Sequence, residues 1–321
     1  MTAHCRTRLW LDGELKKENF PLSEVSGDLR EERALVWVDM CNPDHDILCQ
    51  LADELGFDQH AVEDTVDHAE RTKATRYTTH TFLTVYATKL GPPRENNLES
   101  RLLTARVSIF VLPTGIVTVR HENDPQQPVF DVDEVVRRWD ENSDLLRMGS
   151  PALLHGLLDV VVDGQFDTIQ QLDDAIEDIE GDLFDEQTLP RKIQRDTFRI
   201  RKELVELRRV VLPMREVVNT IMRRRAERGD TVELDSWYAD LYDHVIRAAE
   251  RLGRHGLADR QGRLDANQQI GELQGLHQAR RLRAGHGGHG RRTCGDGQGR
   301  NGAQGHIAIT VANTPAQDQP A

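Results

Sequence analysis

Between Leu154 and Ile221 apolar residues return at every third or fourth position, and only a helix gathers residues so spaced onto one face. Leu154, Leu158, Val162, Phe166, Ile169 and Leu172 open the run, which continues through Ile176, Ile179 and Leu183. After the interruption Glu186-Gln187-Thr188-Leu189-Pro190 it resumes at Ile200, Leu204, Leu207, Val211, Met214, Val218 and Ile221, alternating steps of four and three as a heptad seam does. The other faces of the first helix are acidic (Asp173, Asp174, Glu177, Asp178), and those of the second are basic (Arg195, Arg199, Arg201, Lys202). This pattern predicts an antiparallel helical hairpin whose second arm starts at Thr188 as N-cap with Pro190 in its first turn. Exposed opposite charges contribute only about 0–1 kcal/mol per pair, so the seam decides stability and the charges select register. Pro213 should kink the second arm, because it lacks an amide donor and crowds the carbonyl one turn earlier.

Ahead of the hairpin the period changes. Strand-sized runs at Thr7–Leu11, Ala34–Val38, Thr81–Tyr86, Arg106–Val111 and Ile116–Arg120 alternate with two short helices. One helix is capped by Asp44 or Asp46 and ended by Gly56; the other begins near Asp58. In the turn Leu112-Pro113-Thr114-Gly115, proline and glycine are expected to supply the required φ values. Residues 1–128 therefore read as an α/β domain and 129–228 as the helical hairpin region, with a first helix around Val132, Val135, Val136 and Leu145. Residues 229–250 begin a further helix, opening near Leu234. From Arg251 onward there is no Phe, Trp or Tyr, and fourteen of the 24 glycines fall there. Residues 251–321 are expected to be a disordered low-complexity tail, since such a segment buries too little apolar surface to offset its ordering entropy.

Charge narrows the function. The formal net charge is −13, and the tail carries ten arginines against five acids, so the acidic excess lies in the first 250 residues. An acidic body attracts cations and repels nucleic acid. P-loop, GxGxxG, HExxH and GxSxG patterns are missing from any plausible context, so the chain reads as a non-enzyme. The four cysteines have no CxxC spacing and fit reduced thiols. No stretch approaches the ~20 consecutive apolar residues that span a bilayer, and the first residues lack the apolar core of a secretory signal. The groups with chemical potential are carboxylates: Glu63, Asp64 and Asp67 on one short helix, Asp159 and Asp163 four apart, and Asp240 and Asp243 three apart. Magnesium takes oxygen ligands and keeps much of its water, so one or two carboxylates from separate elements suffice for it. Spacing alone describes solvated surface acids equally well. His60, His68 and His244 lack a helical HxxxH partner and read as surface or core-edge groups.

Four segments together resemble one family in order and spacing: Ala61–Asp67 (AVEDTVD), Val107–Asn123, Arg201–Ile221 (RKELVELRRVVLPMREVVNTI) and Tyr238–Glu250 (YADLYDHVIRAAE). They are similar to the cytoplasmic domain of the CorA-type magnesium and cobalt transport proteins, over roughly Arg8 to Glu250. The resemblance implies an N-terminal α/β domain, an acidic and basic helical hairpin, and a stalk helix, assembled as a homopentameric channel at the plasma membrane and closed by cytoplasmic Mg2+, with Co2+ also carried. It implies that Asp64 and Asp240 face each other across a subunit boundary around a divalent ion, with Glu63 and Asp159 at a neighbouring ion site. It also implies a membrane helix pair and a Gly-Met-Asn tripeptide, neither of which follows Glu250. The expectation is that a shift of reading frame replaced the stalk end and pore, leaving a cytoplasmic chain that reaches the membrane only through intact family subunits. Three other readings stay open: a soluble divalent-cation-binding regulator, a zinc transporter of the same superfamily, and a structural hairpin protein that binds partners through its seam.

Overall fold

Runs that are apolar at every position, such as Ala34-Leu35-Val36-Trp37-Val38, must be covered on both faces. The computed structural model of the chain describes residues 4–67, 70–92, 99–124, 127–141, 145, 147–184, 190–228 and 232–254, and it places these runs inside a seven-stranded sheet. The strands are β1 (His4–Leu11), β2 (Glu14–Glu18), β3 (Ala34–Cys41), β4 (Lys73–Arg76), β5 (Thr81–Leu90), β6 (Leu102–Leu112) and β7 (Gly115–His121). Their order is β2-β1-β3-β7-β6-β5-β4, antiparallel throughout except for the parallel pair β3 and β7. Each of the five expected strands is present; β2 and β4 are additional.

Helices α1 (Val25–Asp28), α2 (His45–Leu55) and α3 (Gln59–Val66) precede β4, and α4 (Val132–Asp140) follows β7. The long helices come next: α5 (Ser150–Phe184), α6 (Pro190–Val211), α7 (Met214–Arg228) and α8 (235–254). Because side chains alternate along a strand, Val36, Val38, Phe82 and Phe110 meet Leu48, Leu51, Ala61 and Val62 of α2 and α3 on one face. Leu35, Trp37, Leu83, Val85 and Ile109 point the other way, onto Val135 of α4, Leu153 and Leu157 of α5, Val217 of α7 and Leu241 of α8. The fold is thus a sheet between two helical layers, as the α/β reading with long following helices requires.

The expected hairpin is α5 with α6. Ile169 and Leu172 pack against Ile200, Leu204, Leu207 and Val211, and α8 closes this core with Ala248 and Leu252. Lys192 Nζ pairs across the hairpin with Asp182 Oδ2 at 2.8 Å, while Arg199 pairs along its own helix with Asp196 at 2.8 Å. The bend expected at Pro213 is a full break between Val211 and Met214. The Pro213 carbonyl accepts from the amides of Glu216 and Val217, at 3.0 and 3.2 Å, and so starts a new helix rather than continuing the old one. The seam consequently changes partner: Ile200 to Val211 pack within the hairpin, and Met214, Val217 and Val218 pack against the sheet.

Two further expectations are corrected. Gly115 is not in the left-handed region; it is needed because an added Cβ would lie 2.5 Å from Leu29 Cδ2 and 2.8 Å from the Val36 carbonyl oxygen. Helix α8 runs past Glu250 to residue 254, since Leu252 is fully buried and Arg251 Nε donates to Asp173 Oδ2 at 2.6 Å. The first four residues assigned to the tail are therefore helical, and 255–321, like Thr188 and His68, lie outside the described residues. Among the described residues no helix is long and apolar enough to cross a membrane.

Candidate metal centre

The first pair of expected ligands sits on α3. Asp58 caps this helix by accepting from the His60 amide at 2.9 Å, which fixes the direction of the turn that follows. Glu63 faces outward, with Gln59 Nε2 donating to its Oε1 at 3.1 Å and His60 Nδ1 3.4 Å from Oε2. Asp64 turns toward the sheet edge, where Lys73 of β4 donates to its Oδ2 at 2.7 Å. The same ammonium lies 2.7 Å from Glu70 Oε2. Burial alone would lower the Lys73 pKa, but the hydrogen bonds to Asp64 and Glu70 outweigh it and the pKa is raised.

The second group is built between α4, α5 and α8. Asp159 and Asp163 stand one turn apart on α5, as their spacing required, and both accept from Nη1 of Arg138 on α4, at 2.8 and 2.7 Å. His244 of α8 joins them, and one ligand atom from each of Asp159, Asp163 and His244 lies within 4.8 Å of the others. Burial, and secondarily the charge of Asp163, raises the Asp159 pKa above the ordinary carboxylate value. One turn before it, His155 is buried against Trp237 and Tyr238, its Nε2 3.1 Å from the Trp237 carbonyl oxygen, and burial lowers its pKa. Asp240 lies one turn before His244, its Oδ2 3.8 Å from the imidazole Nε2, and its side chain is 69% exposed.

Two carboxylates and an imidazole suit a divalent cation. Octahedral bonds of about 2.1 Å put opposite ligands about 4.2 Å apart, so the trio admits an ion with slight closure or through bound water. Of the expected ligands, Asp159 joins this trio directly and Asp240 borders it through His244. Glu63 and Asp64 form a separate group with Lys73. Asp163 was legible as the partner of Asp159, whereas His244 read only as a surface or core-edge group, and nothing in the sequence marked Arg138 as the residue reaching both acids.

The family model described as the CorA-like Mg2+ transporter protein matches residues 32–255. The putative metal ion transporter YfjQ of Bacillus subtilis is 24% identical over 237 residues, which cover 73% of this chain and 67% of that protein. The cobalt/magnesium transport protein CorA of Thermotoga maritima is 25% identical over 211 residues, 64% of this chain and 56% of that one. The chain thus spans about two thirds of the first relative and a little over half of the second. Its fold is similar to the complete CorA magnesium transporter of Methanocaldococcus jannaschii, with TM-score 0.60 at 15% identity, covering 88% of this chain and 82% of that chain. It is also similar to the ZntB cytoplasmic domain of Vibrio parahaemolyticus, with TM-score 0.52 at 13% identity, covering 76% of this chain and 96% of that chain. The match over 32–255 takes in the sheet from β3, the hairpin and all of α8. The chain belongs to the CorA-like Mg2+ transporter protein family, a family of divalent-cation transporters and not of enzymes.

Proposed function

We propose that residues 4–254 form the cytoplasmic, cation-sensing part of a magnesium transport protein that also handles cobalt and works as a pentamer. The observation that carries this reading is the convergence of carboxylates and an imidazole from α5 and α8, beside the exposed Asp240. Asp240 of one copy meets Asp64 of the next, with Glu63 and Asp159 completing a neighbouring site. Empty, these acids repel; a hydrated dication bridges them, so binding is linked to assembly and to the closed state.

The test is thermal unfolding in low-millimolar MgCl2. At ten times the dissociation constant, mass action adds about 1.4 kcal/mol, or about 3–5 °C for a domain of this size. In a chain carrying Asp159→Asn and Asp163→Asn, changing Asp64 and Asp240 to Ala is expected to remove the rise that remains. A rise that survives both changes contradicts the sensor reading and leaves the acids incidental, as in a structural hairpin protein. His244 gives the zinc reading a specific footing, since imidazole is a good zinc ligand. Stabilisation by micromolar ZnCl2 with none from MgCl2 would replace magnesium by zinc. A magnesium response that stays wholly outside the membrane fraction in cells would favour a soluble regulator.

A further inference from the structure

Arg138 stands where a cation ligated by the candidate centre would stand. Its Nη1 donates at 2.8 Å to Asp159 Oδ2 and at 2.7 Å to Asp163 Oδ2, so one nitrogen bridges the two acids that also face His244. Its Nε donates to Glu134 Oε1 at 2.6 Å, one turn back on its own helix, which ties the guanidinium to α4 whether or not it reaches α5. The charges do not balance. Two carboxylates face one guanidinium already shared with Glu134, whereas a dication would match both acids at once. A dication would also draw in His244, whose unprotonated ring nitrogen is a metal ligand.

We infer that Arg138 is an internal competitor for the centre: its guanidinium and a divalent cation take the same two carboxylates in turn. This rests on the sensor reading above and adds to it how the response is set. The ion concentration at which the centre fills is fixed by how firmly Arg138 occupies it. Filling the centre exchanges partners between helices. The link from α4 to α5 opens, with Arg138 retained by Glu134, and a link from α5 to α8 through the ion and His244 forms. An arginine that holds the acids about nine-tenths of the time raises the apparent dissociation constant about tenfold, because only the free fraction binds.

Isothermal titration calorimetry of the full chain with MgCl2 tests this. Arg138→Gln is expected to bind about tenfold more tightly than the wild type, and Arg138→Lys, which keeps a charge but not the planar fork, to fall between them. In chains that also carry Asp64→Ala, so that the site between copies is removed, Asp159→Asn combined with Asp163→Asn is expected to abolish the binding step with or without Arg138→Gln. A merely structural role for Arg138 gives the opposite sign, since losing it would loosen the centre and weaken binding. Equal or weaker binding by Arg138→Gln, with the aspartate changes still abolishing the step, overturns the competitor and leaves the centre standing. A step that survives the aspartate changes, or no binding by any variant, overturns the centre and the competitor together. Should circular dichroism show that Arg138→Gln is unfolded, Arg138→Lys decides alone: tighter binding than wild type supports the competitor, and equal or weaker binding overturns it.

Discussion

His80 is only 3% exposed and lies among rings, with centroids 5.0 Å from Tyr77, 5.0 Å from Phe57 and 5.5 Å from Phe110. Burial lowers its pKa below the ordinary 6.5, with the charge of Asp58 opposing the shift more weakly. A depressed histidine contributes stability that is fully present above the unfolded-state pKa and lost as the pH falls through the lower folded-state value. Urea midpoints at neutral pH and at about pH 5 should therefore fall less in His80→Phe than in the wild type. Equal losses would show that His80 does not titrate across that range. At this scale the site was half legible. Asp159 and Asp163 declared themselves by their spacing on one helix, and Asp64 by its place in the resembling segment. The basic groups that hold them did not, because Arg138 and Lys73 reach their acids from other elements and no local period encodes such a meeting.

Leu157 of α5 is fully buried between helix and sheet, whereas Val205 of α6 is 43% exposed. Leu157→Ala should cost about 2–5 kcal/mol in urea unfolding. Val205→Ala should stay within about 0.5 kcal/mol. Comparable losses would mean that α5 is not the helix that anchors the sheet. The same contrast of burial explains what could be read in advance. The central strands, α5 and the seam were visible because burial imposes a period. The edge strands β2 and β4 were not, because Glu14–Glu18 (ELKKE) is exposed throughout and Lys73–Arg76 (KATR) is short and polar. Charged, short edges are how sheets avoid pairing with other chains, and they remove the alternation that marks a strand. The seam showed its apolar face but not its change of partner at Pro213, since an unbroken heptad is compatible with either packing.

Across the whole molecule, a chain with net charge −13 arranges carboxylates on α3, α5 and α8, in a family of divalent-cation transporters. Arginine and lysine side chains hold some of these acids within one chain, and a dication shared between copies would neutralise negative charge that remains. The resemblance implies that Asp64 and Asp240 lie on opposite sides of a boundary between copies; within one chain Asp64 pairs with Lys73 and Asp240 borders His244. Anomalous X-ray diffraction from crystals grown with CoCl2 reads this arrangement without an intermediate assay. An ion joining Asp64 of one copy to Asp240 of its neighbour is the expected result. Those carboxylates lying open to solvent, with no anomalous density beside them, would contradict it.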